Sequence, residues 1–74
     1  MFGKRLRECR KQRKMTQQDM ADRLNLALRS YQRYEAEDFQ PSLEILIAIA
    51  DTLDASIDYL LGRDDFLARH ADEH

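Results

Sequence analysis

The segment from Pro41 to Leu53, PSLEILIAIADTL, constrains this chain more than any other. Leu43, Leu46, Ile47, Ala50 and Leu53 recur at helical spacing and form one apolar stripe. Ile45, Ala48 and Ile49 are apolar as well, so the helix is hydrophobic nearly all round. Such a helix is packed on several sides, by its own domain or in part by a second subunit. Pro41 suits its first turn, and Ser42 and Glu44 suit its start. The rest of the 74 residues has to wrap this one element. A chain of this size buries only about 60% of the surface that it exposes when unfolded, which leaves room for one small core.

The flanking segments are read as helices too. From Phe2 to Lys14, the residues Phe2, Leu6 and Cys9 recur at steps of four and three, with basic residues on the other faces. Cys9 lies on the apolar stripe and reads as a small buried hydrophobe. A second helix runs from about Thr16 to Leu24, with Thr16 as N-cap, Asp19 in the first turn and Met20, Ala21 and Leu24 as its stripe. Asn25 follows, where a left-handed residue closes a helix. A third runs from about Ala27 to Glu37. Leu28, Tyr31 and Glu35 share one of its faces, with Tyr34 beside them. Arg29, Gln32, Arg33 and Ala36 share another, which is polar and rich in donors. A fifth helix spans Ser56 to Leu61, with Ser56 as N-cap and Gly62 just past its end. The expected fold is all-α, a compact five-helix domain over residues 1–62. Residues 63–74 form an acidic C-terminal tail, frayed or extended as a short helix through Phe66 and Leu67.

The net charge of −2 conceals a separation of signs. Residues 1–33 hold ten basic and three acidic residues, whereas residues 34–74 hold two basic and eleven acidic ones. The basic half suits a charged partner: nucleic acid, an anionic membrane surface or an acidic protein. No apolar run approaches 18 residues, and no signal peptide opens the chain, so neither a membrane span nor export is expected. A lone cysteine fits the reducing cytoplasm. His70 and His74 stand four apart in the tail, but two ligands make no metal site. Ser30, Ser42 and Ser56 have no histidine within the domain, and neither a glycine-rich phosphate loop nor paired catalytic carboxylates stand out. No enzyme, cofactor or metal is expected.

The second and third helices, joined by the short turn Asn25 to Ala27, read as a helix-turn-helix unit. In such a unit the first helix crosses the DNA backbone and the second enters the major groove. Thr16 and Gln17 sit at the start of the first, where backbone N–H groups suit a phosphate. Arg13 and Lys14 supply sequence-independent attraction. Arg29 and Arg33 can each grip guanine O6 and N7, and Gln32 can pair with adenine or a phosphate.

Residues 3–62 resemble the lambda-repressor-like, or XRE-type, helix-turn-helix proteins. The resemblance rests on "LRECR", "MTQQDMADRL", "RYE" at 33–35, "PSLEILIAIADTL" and "IDYLLG", in that order and spacing. It implies a prokaryotic or phage regulator that binds a palindromic double-stranded DNA operator as a dimer. It places Gln17 at a phosphate contact and Leu28, Arg29 and Arg33 at base contacts, with Gln32 between them and Leu28 suited to a thymine methyl. It also implies an ion pair between Arg10 and Glu35, and a phosphate-touching loop from Asp38 to Gln40. Ile45, Ile57, Phe66 and Leu67 are the expected dimer contacts. An antitoxin or a restriction-modification controller shares this fold, as does a protein-interaction module that does not bind DNA; a toxin or antirepressor is then a possible partner. The chain departs from the family at four places. Asn25 and Glu37 replace glycines, Ala27 replaces a Ser or Thr cap, and Glu37 with Asp38 makes the usually basic loop acidic.

Overall fold

The structure, a computed structural model, describes residues 1–62. It comprises α1 (Phe2–Gln12), α2 (Gln17–Arg23), α3 (Leu28–Glu35), α4 (Leu43–Leu53) and α5 (Ile57–Leu60), with no strand among the described residues. The expected all-α, five-helix architecture is therefore the observed one. Leu6 of α1, Met20, Ala21 and Leu24 of the α2 region, Tyr31 of α3, Ile49, Ala50 and Leu53 of α4, and Leu60 of α5 form one buried cluster. No described helix is long and apolar enough to cross a membrane.

The central helix buries a different stripe from the one its spacing first suggests. Leu46, Ile49, Ala50 and Leu53 face the core, whereas Leu43 is 70% and Ile47 43% exposed. Both stripes obey helical spacing and share Leu46, Ala50 and Leu53. In a helix apolar nearly all round, periodicity cannot choose between them. The dimer candidates shift accordingly. Ile45 and Ile57 are half-buried and pack on the core cluster, so they are not exposed apolar residues. Phe66 and Leu67 lie outside the described residues. Among the described residues, the exposed large apolar side chains are Met1, Phe39, Leu43, Ile47 and Leu61.

The helices start as their caps dictate. The Thr16 hydroxyl accepts from Asp19 N at 3.0 Å, and the Asp19 carboxylate accepts from Thr16 N at 2.8 Å, a reciprocal capping box. Ser42 and Ser56 cap α4 and α5 by accepting from Ile45 N and Tyr59 N. Pro41 thus precedes the cap instead of occupying the first turn. α3 begins at Ala27, which has extended backbone (φ −65°, ψ 145°) and no side-chain cap. Serine fits that backbone, so Ala27→Ser is expected to raise stability by about 1 kcal/mol. An unchanged or lowered urea midpoint would show that another group already satisfies the start of α3.

Each helix also ends in the same way. Lys14, Asn25, Glu37 and Asp54 have φ of 57°, 56°, 63° and 50°, and Gly62 has 74°. After the first four helices, the next N–H bonds back to a carbonyl five residues earlier: Met15 to Arg10, Leu26 to Ala21, Asp38 to Arg33 and Ala55 to Ala50. These closures satisfy carbonyls left over at the helix ends. They explain why α1 stops at Gln12 and α3 at Glu35, short of the expected Lys14 and Glu37. Met15, Leu26 and Ala55 then pack on the core, as residues at that position commonly do.

Candidate nucleic-acid interface

α2 and α3 pack against each other across the Asn25–Ala27 turn, and α1 braces α3 from behind. The brace centres on one carboxylate. Glu35 Oε2 accepts from Arg10 Nε at 2.6 Å and from the Tyr31 hydroxyl at 2.5 Å. Glu35 Oε1 accepts from Arg10 Nη2 and from Gln17 Nε2, both at 3.2 Å. All four lone-pair sites of the carboxylate are thereby used. Arg10 also donates to Met15 O at 2.9 Å, which ties the α1–α2 turn into the same network. The Arg10 and Glu35 side chains are only 9% and 5% exposed, so the ion pair implied by the family resemblance is buried.

The electrostatics follow from that geometry. Burial pushes the Glu35 carboxyl up, but bonds from Arg10, Tyr31 and Gln17 together hold it below the ordinary carboxylate range. The Tyr31 hydroxyl is driven well above its ordinary value by burial and then by its bond to Glu35. Arg10 is held protonated more firmly, chiefly by its hydrogen bond to Glu35. Burial, followed by the nearby Glu8 charge, raises the Cys9 thiol, which keeps it in its less reactive form.

An ionised carboxylate can only accept, so Gln17 must turn its NH2 group toward Glu35. The Gln17 carbonyl then faces outward, where it accepts from Gln32 Nε2 at 3.1 Å. One buried charge thus orients two amides in series and leaves the Gln32 carbonyl turned away from Gln17. The second N–H of the Gln17 amide is left over by this arrangement.

The remaining candidates fall around this frame. Arg29 and Gln32 are exposed on α3, and Leu28 is half-buried at its first position. Arg33 is half-buried, with its guanidinium carbon 5.3 Å from the centre of the Phe39 ring. Thr16, Lys14 and Gln40 are exposed. Arg13 lies 3.6 Å from Asp54, an exposed pair that contributes little and draws Arg13 toward the α4–α5 turn.

Three contributors escaped the sequence reading. Phe39 is one. Gly3 is another: it is buried on α1, and a Cβ there would lie 2.2 Å from Glu35 O and 2.7 Å from Glu37 Cγ. The third is the role of Glu37, expected to repel phosphate. Its Oε1 accepts instead from the Met1 ammonium at 2.5 Å and from Gly3 N at 2.8 Å. The ammonium, and after it the Gly3 N–H, hold the Glu37 carboxyl below its ordinary range. Both members are exposed, so the pair offsets the Glu37 charge only in part. A glycine among basic residues at a helix start was the available signal for close backbone approach.

The helix-turn-helix family model matches residues 6–60, which takes in all five helices. The chain belongs to the XRE-type helix-turn-helix family. Among XRE-type relatives, the "uncharacterized HTH-type transcriptional regulator YqaE" of Bacillus subtilis (strain 168) is 48% identical over 61 residues, 82% of this chain and 53% of that protein. The cryptic phage CTXphi transcriptional repressor RstR of Vibrio cholerae is 46% identical over 59 residues, 80% of this chain and 53% of its own. The HTH-type transcriptional regulator ImmR of B. subtilis is 35% identical over 64 residues, 86% and 50% respectively. The chain spans about half the length of these relatives. No solved structure gives a significant match.

Proposed function

We propose that this XRE-type domain is a sequence-specific, double-stranded DNA-binding transcriptional regulator. It acts in the cytoplasm as a repressor and binds a palindromic operator as a homodimer. One observation carries the reading. A helix whose outer face bears Arg29, Gln32 and Arg33 is locked to α1 and α2 by a fully bonded buried carboxylate. A groove reader needs donors in fixed register, and this network supplies that register. Lys14, Thr16, Gln17 and Gln40 are suited to the flanking phosphates, with Arg13 a weaker contributor. That RstR is named a transcriptional repressor agrees with the repressor reading. Leu43, Ile47 and Leu61 replace Ile45 and Ile57 as the exposed apolar residues that a dimer would cover. The protein-interaction alternative draws on the acidic loop and the negative net charge, and the exposed donors of Arg29 and Gln32 on α3 favour DNA over it.

The test is a titration against operator-sized duplexes at two salt concentrations, with stoichiometry read by sedimentation. The regulator reading expects two chains per site, a preferred sequence and an affinity that falls steeply with salt. Arg29→Ala is expected to cost about 1–3 kcal/mol in binding and to relax preference at one operator position. Equal affinity for all duplexes, before and after the substitution, would remove α3 as the reading helix.

A further inference from the structure

We propose that Phe39 is a positioning residue for base recognition: its ring is the platform that presents Arg33 to a guanine. The inference rests on the DNA-binding reading above and names a determinant of its specificity. Phe39 is 56% exposed, an unfavourable place for a large apolar ring unless something covers it. What lies against it is the Arg33 guanidinium, at 5.3 Å. The loop is pinned so that this meeting recurs. Asp38 N and Phe39 N both donate to Arg33 O, at 3.0 and 3.4 Å, which folds the ring back along the helix it follows. Ser30, Tyr34 and Gln40 complete a shallow depression around the pair.

The chemistry favours this arrangement. A guanidinium resting on a ring engages through its face and leaves its N–H edge free. That edge is the part that binds guanine O6 and N7 in the plane of the base. Stacking also removes rotamers that a free arginine would have to give up on binding. Arg29 offers an internal comparison, since among the described residues no ring lies beneath it. The two arginines should therefore respond differently to a change at Phe39. Phe39 gives this loop a further role: it orients a neighbouring cation instead of supplying one.

The test is selection from random double-stranded DNA with the full chain, comparing wild type, Phe39→Leu and Phe39→Tyr. Arg29→Ala and Arg33→Ala assign which position each arginine reads. Phe39→Leu is expected to lower the guanine preference at the Arg33 position by roughly two- to tenfold and to leave the Arg29 position intact. Phe39→Tyr, which keeps the ring, is expected to retain both. A merely apolar role is met by leucine as well as by tyrosine, and a general structural role would weaken both positions together. If Phe39→Leu lowered the melting temperature, Phe39→Met would replace it in the same comparison. The proposal is overturned if Leu and Tyr variants give the same preferences, or if both positions weaken together. A wild-type pool with no consensus at all would overturn the DNA-binding reading and this inference with it.

Discussion

Arg10→Ala is expected to destabilise the domain by about 3–5 kcal/mol, because it leaves the Glu35 carboxylate buried without its cation. A domain of this size holds roughly 4–11 kcal/mol in total, so the loss takes a large share of its stability and exhausts it at the lower end of that range. At roughly 4–8 °C per kcal/mol, the melting temperature should fall by at least ~12 °C. The loss reflects an uncompensated charge more than the worth of the pair. Arg10→Met, Tyr31→Phe and Glu35→Leu together remove every charged or hydroxyl member of the buried cluster, and should recover most of the stability. They should not recover full operator preference, because Gln17, and through it the Gln32 amide, then has nothing to orient it. A triple variant as unstable as Arg10→Ala would show that the network contributes stability outright. The same cluster sets the acid limb. Glu35 titrates below its unfolded value, so its contribution is complete above about pH 4.3 and is lost as pH falls through the depressed native value. Asp19, held down by the Thr16 N–H, and Glu37, held down by the Met1 ammonium, act with the same sign. Glu35→Gln should therefore flatten the dependence of unfolding free energy on pH below that point.

Gly3→Ala is expected to destabilise by about 1–2 kcal/mol, although alanine is the better helix former. Propensity favours the change by about 1 kcal/mol. Against it stands a Cβ only 2.2 Å from Glu35 O and 2.9 Å from the carbon of the same carbonyl. That obstacle is backbone, so no rotamer change relieves it. Overpacking of this kind costs about 1–3 kcal/mol or more. The substitution must push α1 away from the end of α3, which also lengthens the Gly3 N–H bond to Glu37. Thermal melting decides the matter. A higher melting temperature for Gly3→Ala would mean that α1 does not approach α3 this closely.

The architecture was legible because the local signals agree. Thr16, Ser42 and Ser56 mark helix starts, and Asn25 and Gly62 mark ends, so capping chemistry and apolar spacing together give the elements. The resemblance added the Arg10–Glu35 pairing, which spacing could not supply. The misreadings share a cause. The buried stripe of α4 depends on what its neighbours present, and a helix with apolar residues on every side hides that choice. The loop hid a contact for a related reason. Glu37 looks acidic and exposed in sequence, but its charge is answered from the other end of the domain, by Met1 and Gly3. Phe39 gave no periodic signal, because its partner Arg33 lies in a different element.

Every described helix of this domain ends on a left-handed residue, and only Gly62 is of the type for which that conformation is free. Asn25 and Asp54 tolerate it at a modest penalty, up to about 1 kcal/mol each. Each is one substitution away from relief, and neither belongs to the core cluster or to the outer face of α3. If α3 reads the operator as proposed, a lineage that rewrites Arg29, Gln32 or Arg33 to follow a drifting operator can lose stability in the process. Glycine at either turn restores some of it without touching what the helix reads. The turns are where such a domain keeps its capacity to evolve.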